Sequence, residues 1–140
     1  KTQYEEGKPK LELHEIGGSF EACGKRFLAV PIVHGNLPIL GLRIGAFAYV
    51  TDASEVPAAS IELLQGLDVL VVNALREEPH PTHQTLAQAL QVIARCKPRH
   101  AYVTHVGHWL SAKDIDERTP RNVASAHYGM VFELPDEPAP

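Results

Sequence analysis

The sequence is poor in cysteine, in long apolar runs and in excess positive charge, and each shortage excludes a class of protein. Its 2 cysteines, Cys23 and Cys96, stand far apart and outside any CxxC spacing. A disulfide framework or a cysteine-built zinc site is therefore disfavoured, and two reduced thiols in a cytoplasmic protein are expected. No apolar run is long enough to span a bilayer, and the polar start KTQYEEG holds no signal-peptide core, so no membrane partner is expected. The formal net charge is −4 and the pI is about 6.0. That balance argues against a broad nucleic-acid surface, though not against a local basic patch.

What remains is a globular composition in 140 residues, 44% apolar and 21% charged, enough for one compact unit or part of a larger domain. Histidine is the abundant chemical residue, with 8 copies. Residues 1–10 are polar and are expected to form a flexible leading segment, and 135–140 (PDEPAP from 135) are expected to be a disordered tail. Leu11–Ile16 alternates in a period of two, as a strand does, and Gly17-Gly18 turns the chain. Phe27–Val33 is a strand with Pro31 suited to an end or edge; Ile39–Ile44 and Ala46–Val50 form a hairpin around Gly45. A short helix is expected over Pro57–Gln65 with Ser54 as a candidate N-cap, then a doubly buried strand over Leu67–Val72. Helical spacing of Leu86, Ala89, Leu90, Ile93 and Ala94 marks a helix over about 85–96. Ala101–Val103, a short helix over 113–118, and closing strands at Val123–Ala126 and Met130–Leu134 complete the order. Helices alternating with buried strands predict a layered α/β or α+β architecture.

Three apolar strands end on a side chain with metal-ligand chemistry: VPIVHG on His34, FAYVTD on Asp52 and AYVTHVGH on His105, with His108 three residues on. Strand ends lie at a sheet edge, where loops build sites on a rigid scaffold, and imidazole with carboxylate is a donor set that zinc-like cations prefer. Taken singly, each residue has a plain alternative: a capped loop histidine, or an aspartate forming a turn. His14 and His100 read as structural, His80 and His127 as exposed, and Arg43 and Arg76 as solvated charges.

Residues 30–54 and 73–108 together resemble the metallo-β-lactamase-fold hydrolases of the phosphoribosyl cyclic phosphodiesterase type. The signals are strand-His-Gly, Tyr-x-Thr-Asp, the His83-Gln84-Thr85-Leu86 run and Thr-His-x-x-His, in that order. The resemblance covers about 11–134. It implies the C-terminal half of an αββα sandwich and two divalent metal ions (Zn or Mn) at one sheet edge. The implied substrate is a small (cyclic) phosphate ester attacked by metal-activated water. It also implies that His34 binds the first metal, Asp52 bridges both, His105 binds the second, and His83 faces the phosphate as general acid. His108 is either an orienting partner of His105 or a loop histidine beside Trp109.

The family's strongest motif, His-x-His-x-Asp-His, is absent: no two histidines stand two apart and Asp-His does not occur. Residues 1–140 alone are therefore expected to be inactive, and the start at Lys1 agrees with a fragment. The missing N-terminal half, or a homodimer partner, is expected to cover an otherwise bare sheet. Tyr128-Gly129 stands where the family often has Asp-Gly, which removes the carboxylate expected to support the site there. Gly107, where relatives often have Ser, reads as a minor change. Other hydrolases of the fold (nuclease, lactonase, thioesterase) and a non-catalytic scaffold module are the competing readings; the acidic balance disfavours the nuclease.

Overall fold

The computed structural model describes residues 11–131 and 133; the expected leading segment and tail lie outside them. Among these residues seven strands, β1 (Ser19–Ala22), β2 (Lys25–His34), β3 (Leu37–Ile44), β4 (Phe47–Val50), β5 (Val69–Asn73), β6 (His100–Thr104) and β7 (Val123–Ser125), form one sheet in chain order. The helices are α1 (Ala58–Leu63), α2 (Leu86–Cys96) and α3 (Ala112–Arg118). β1 to β4 pair antiparallel, and β4 to β7 pair parallel. Two reversals return β4 to the direction of β2. The C-terminal ends of β2, β4, β5 and β6 therefore share one edge.

Side chains alternate between the two faces of a strand. The cross-strand row Arg43, Ala48, Leu70, Ala101 and Val123 marks the face on which the helices pack. Its apolar members join Ile61, Leu64, Ala89, Val92, Ile93 and Ile115 in one buried cluster. The opposite row, Ala29, Leu42, Tyr49, Val71, Tyr102 and Ala124, has no member in that cluster. Leu40 and Tyr49 on that second face are 47% and 42% exposed.

Local chemistry explains the element ends. Thr85 caps α2 by accepting from the Gln88 N–H while Gln88 accepts from the Thr85 N–H, a reciprocal box worth about 1 kcal/mol. Lys97 closes the helix in a left-handed conformation before Pro98. Pro31 lies inside β2 rather than at its end. Its missing N–H points away from β3, to the side where Ser60 Oγ donates to the Pro31 carbonyl, so no ladder bond is lost.

Several expectations fail. Leu11–Ile16 is not a strand; Leu11 and Leu13 are 82% and 97% exposed, and the first paired strand begins at Ser19. Alternation supplies an apolar face, but a strand needs a sheet against which to bury it. Met130 and Val131 are likewise not strand, while Phe132 and Leu134 lie outside the described residues. Ser54 is not a helix cap: its hydroxyl donates to the Val33 carbonyl and accepts from the Gly35 N–H. Arg43 is not a solvated charge, since its guanidinium donates to the carbonyls of Gly45, Leu63 and Gln65 at 2.6–2.9 Å. Arg76 donates to the Glu78 and Pro79 carbonyls and lies over the Trp109 ring. Cys23 and Cys96 are not bonded to each other.

Candidate functional site

The shared edge brings His34 from the end of β2, Asp52 from just after β4 and His105 from just after β6 into one place. Asp52 and His105 carry φ angles of 62° and 55°, a left-handed backbone that a side-chain-bearing residue holds only when its surroundings enforce it. Such a conformation costs on the order of 1–3 kcal/mol and turns the side chain sharply out of the strand line.

The enforcing contacts are visible around Asp52. The next residue, Ala53, is clamped by the fully buried Asn73, whose Oδ1 accepts from the Ala53 N–H at 2.9 Å and whose Nδ2 donates to the Ala53 carbonyl at 3.0 Å. The Gln84 N–H donates to the same carbonyl. Ser54 is tied to Val33 and Gly35, the neighbours of His34. Thus one segment fixes Asp52 against the ends of β2 and β5 and against the residue after His83.

Asp52 Oδ1 lies 3.3 Å from His83 Nε2 and 3.5 Å from His105 Nδ1. His83 is central: its ring meets His34 edge-on at 4.9 Å and stacks on His105 at 4.7 Å. Ligand atoms of His34, Asp52 and His83 lie within 4.8 Å of one another, the one such grouping among the described residues. A set of imidazole nitrogens and a carboxylate oxygen suits a zinc- or manganese-like cation, so the residues present fit such an ion. By distance, His83 is as good a candidate ligand as His105.

Burial pushes the Asp52 carboxyl upward, but hydrogen bonds from His83 and Thr51 and the nearby charges of His105 and His83 outweigh it and hold it below the ordinary value. Burial lowers the His83 pKa, and His105 and His34 push the same way against the contrary pull of Asp52. An ionised carboxylate beside a neutral imidazole is the pairing that metal binding requires.

His108 does not join the cluster; its ring packs on Trp109 at 3.7 Å. His127 is exposed, as are His14, which is not in a strand, and His100 at the start of β6. His80 is not exposed as expected: it is half-buried, with its ring 5.3 Å from that of His83. Gly107 is not a neutral position, because a Cβ there would sit 2.9 Å from the Leu75 carbonyl oxygen and 3.0 Å from the Trp109 ring. The buried run read as Leu67–Val72 continues one residue to Asn73, so the fourth polar strand end was present in the sequence. Thr82, between His80 and His83, carried no such signal. A groove of about 560 Å³ opens beside His105, lined in part by Val106, Leu110, Ser125, His127 and Tyr128.

A family model described as a beta-lactamase superfamily domain matches residues 1–106. The chain is 35% identical over 105 residues to a Porphyromonas gingivalis protein named octanoyltransferase, covering 73% of this chain and 21% of that protein. It is 40% identical to a diphosphatase from the PhnP family of known crystal structure, with a TM-score of 0.82 over 88% of this chain and 50% of that one. The metallo-β-lactamase-fold protein YhfI from Bacillus subtilis shares 16% identity and a TM-score of 0.68, covering 81% of this chain and 52% of that one. Human tRNase Z, short form, shares 18% identity and a TM-score of 0.65, covering 85% and 48%. The last two speak for the fold alone. The chain spans about half the length of these solved structures and about a fifth of the P. gingivalis protein.

Proposed function

The chain belongs to the beta-lactamase superfamily, and from that membership we propose that it supplies part of a metal-dependent hydrolytic centre that cleaves a small phosphate ester or phosphoanhydride. The carrying observation is the convergence of two imidazoles on the Asp52 carboxylate, with His34 beside them, at one sheet edge. The 40% identity to a protein described as a diphosphatase favours cleavage at phosphorus over the other hydrolyses of this fold. The groove beside His105 has the size of a small-molecule site.

In this reading His34, Asp52 and His105 would hold the two divalent cations, and Asp52 would contribute to both. Such ions, when bound, lower the pKa of water and neutralise charge on phosphoryl oxygens. His83 presents its Nε2 to Asp52 Oδ1 at 3.3 Å, the side on which this reading puts the substrate. When protonated, an imidazole whose pKa burial has lowered gives its proton readily to a leaving oxygen.

One histidine for each cation plus a shared carboxylate falls short of the three protein ligands usual at a catalytic metal. The remaining ligands come, in this reading, from the other half of the domain. That half would also cover the second sheet face around Leu40 and Tyr49, a role a second copy of the chain fills in the dimeric alternative. The octanoyltransferase name supports no acyl-transfer reading here, because the match covers only 21% of that protein. A non-catalytic module is the second reading, favoured by the shortage of ligands.

Metal analysis of the intact gene product decides between them. About two equivalents of zinc or manganese, lost on Asp52→Ala, are expected. His83→Ala should retain metal and slow hydrolysis of bis(p-nitrophenyl) phosphate by about 10²- to 10⁴-fold. Absence of metal from a product that includes the upstream region sinks the proposal, and loss of metal in His83→Ala makes His83 a ligand instead.

A further inference from the structure

Thr82 stands between two histidines and makes polar contact with both. Its Oγ1 lies 2.9 Å from His83 Nδ1 and 3.2 Å from His80 Nδ1, and its backbone N–H donates to His80 Nδ1 at 3.3 Å. The two Nδ1 atoms are themselves 3.4 Å apart. On its other side, His83 presents Nε2 to Asp52 Oδ1.

The proton inventory has one consistent solution for neutral rings. A carboxylate oxygen only accepts, so His83 carries its proton on Nε2, and its Nδ1 is a lone pair needing a donor. His80 Nδ1 already accepts from the Thr82 backbone and has no proton to give. The Thr82 hydroxyl is therefore the donor to His83 Nδ1.

The Thr82 methyl fixes this hydroxyl in place. A Cβ built on Gly35 would meet Thr82 Cγ2 at 3.0 Å, so the methyl lies against the hairpin that follows His34. A β-branched side chain has few χ1 choices, and with its methyl against Gly35 the hydroxyl is directed at the imidazoles.

We propose that Thr82 is a positioning residue whose hydroxyl fixes the tautomer and ring angle of His83, and so holds His83 Nε2 on Asp52. The catalytic consequence rests on the hydrolase reading above; the orientation of the ring does not.

Thr82→Val keeps the shape and removes the hydroxyl, while Thr82→Ser keeps the hydroxyl. Long-range ¹H–¹⁵N spectra of the metal-free intact protein report each ring nitrogen. In Thr82→Val the His83 Nδ1 resonance should move to that of an unbonded lone pair, and Thr82→Ser should restore it. In the metal-loaded protein, Thr82→Val should lower kcat on bis(p-nitrophenyl) phosphate about 10- to 100-fold, as loss of an orienting partner does. KM and metal content should hold, and Thr82→Ser should recover most of the rate. In a His83→Ala background the same change should cost nothing further.

Unchanged ring resonances in Thr82→Val overturn the proposal, as does a rate loss that persists without His83. A wild-type protein that binds no metal and hydrolyses nothing sinks the hydrolase reading alone, and the ring spectra then decide this one.

Discussion

Asn73 offers the sharpest test of how the site is held. Its side chain is fully buried and bonds both the N–H and the carbonyl of Ala53, the residue after Asp52. Asn73→Ala strands the Ala53 N–H: the carbonyl keeps the Gln84 N–H, but the amide loses the acceptor it relies on. An orphaned buried donor costs about 1–3 kcal/mol, and the lost bond to the carbonyl adds about 1 kcal/mol. The expected destabilisation is therefore about 2–4 kcal/mol, a fall in Tm of roughly 10 °C for a domain of this size. Asn73→Asp should be worse at neutral pH, because a buried carboxylate would face the Ala53 carbonyl oxygen. The same variant carries its own reversal: once protonated, the introduced acid both donates and accepts, as the native amide does. Burial raises its folded pKa above the unfolded value, so the deficit against wild type is absent below the unfolded pKa and grows as pH rises through the window between the two. Thermal unfolding of the intact protein, followed by circular dichroism, measures both variants. An Asn73→Ala protein melting within about 1 °C of wild type, or an Asn73→Asp deficit independent of pH, refutes the clamp.

Two further outcomes are expected. Gly107→Ser must displace the Leu75 carbonyl or the Trp109 ring, so it should lower Tm and shift Trp109 fluorescence; an unchanged spectrum and Tm would show that the loop yields freely. Cys96 is buried and its thiol is pushed up to about 11 by that burial, whereas Cys23 is exposed. Native protein at about pH 8 should react with Ellman's reagent at Cys23 and not at Cys96, and rapid modification of Cys96 would contradict its burial.

Much of the fold and part of the site could be read from the sequence because both rest on strand ends. His34, Asp52 and His105 each follow a run apolar enough to be a buried strand, and parallel orientation carries such ends to one edge. Asn73 follows the same rule, but the expected strand stopped at Val72. His80 and Thr82 could not be found this way. Their loop has no period, and it is placed by bonds from Leu75 and Ala53 to Gln84, distant partners that no local pattern encodes. Arg43 misled for a related reason: a charge in a strand looks solvated unless the carbonyls of Gly45, Leu63 and Gln65 are known to converge on it. Leu11–Ile16 misled in the opposite sense, since its alternation is real but no strand among the described residues pairs with it.

The strand order of the sheet equals the order in which the chain is synthesised. Every strand from β2 onward can dock on the one made just before it, so no gap must be held open for a later arrival and loop closures stay short. A ribosome could therefore lay this sheet down from one edge to the other. The cluster is the exception: His34 emerges before Asp52, His83 and finally His105, so these four side chains meet only after the last of the parallel strands that carry them is made.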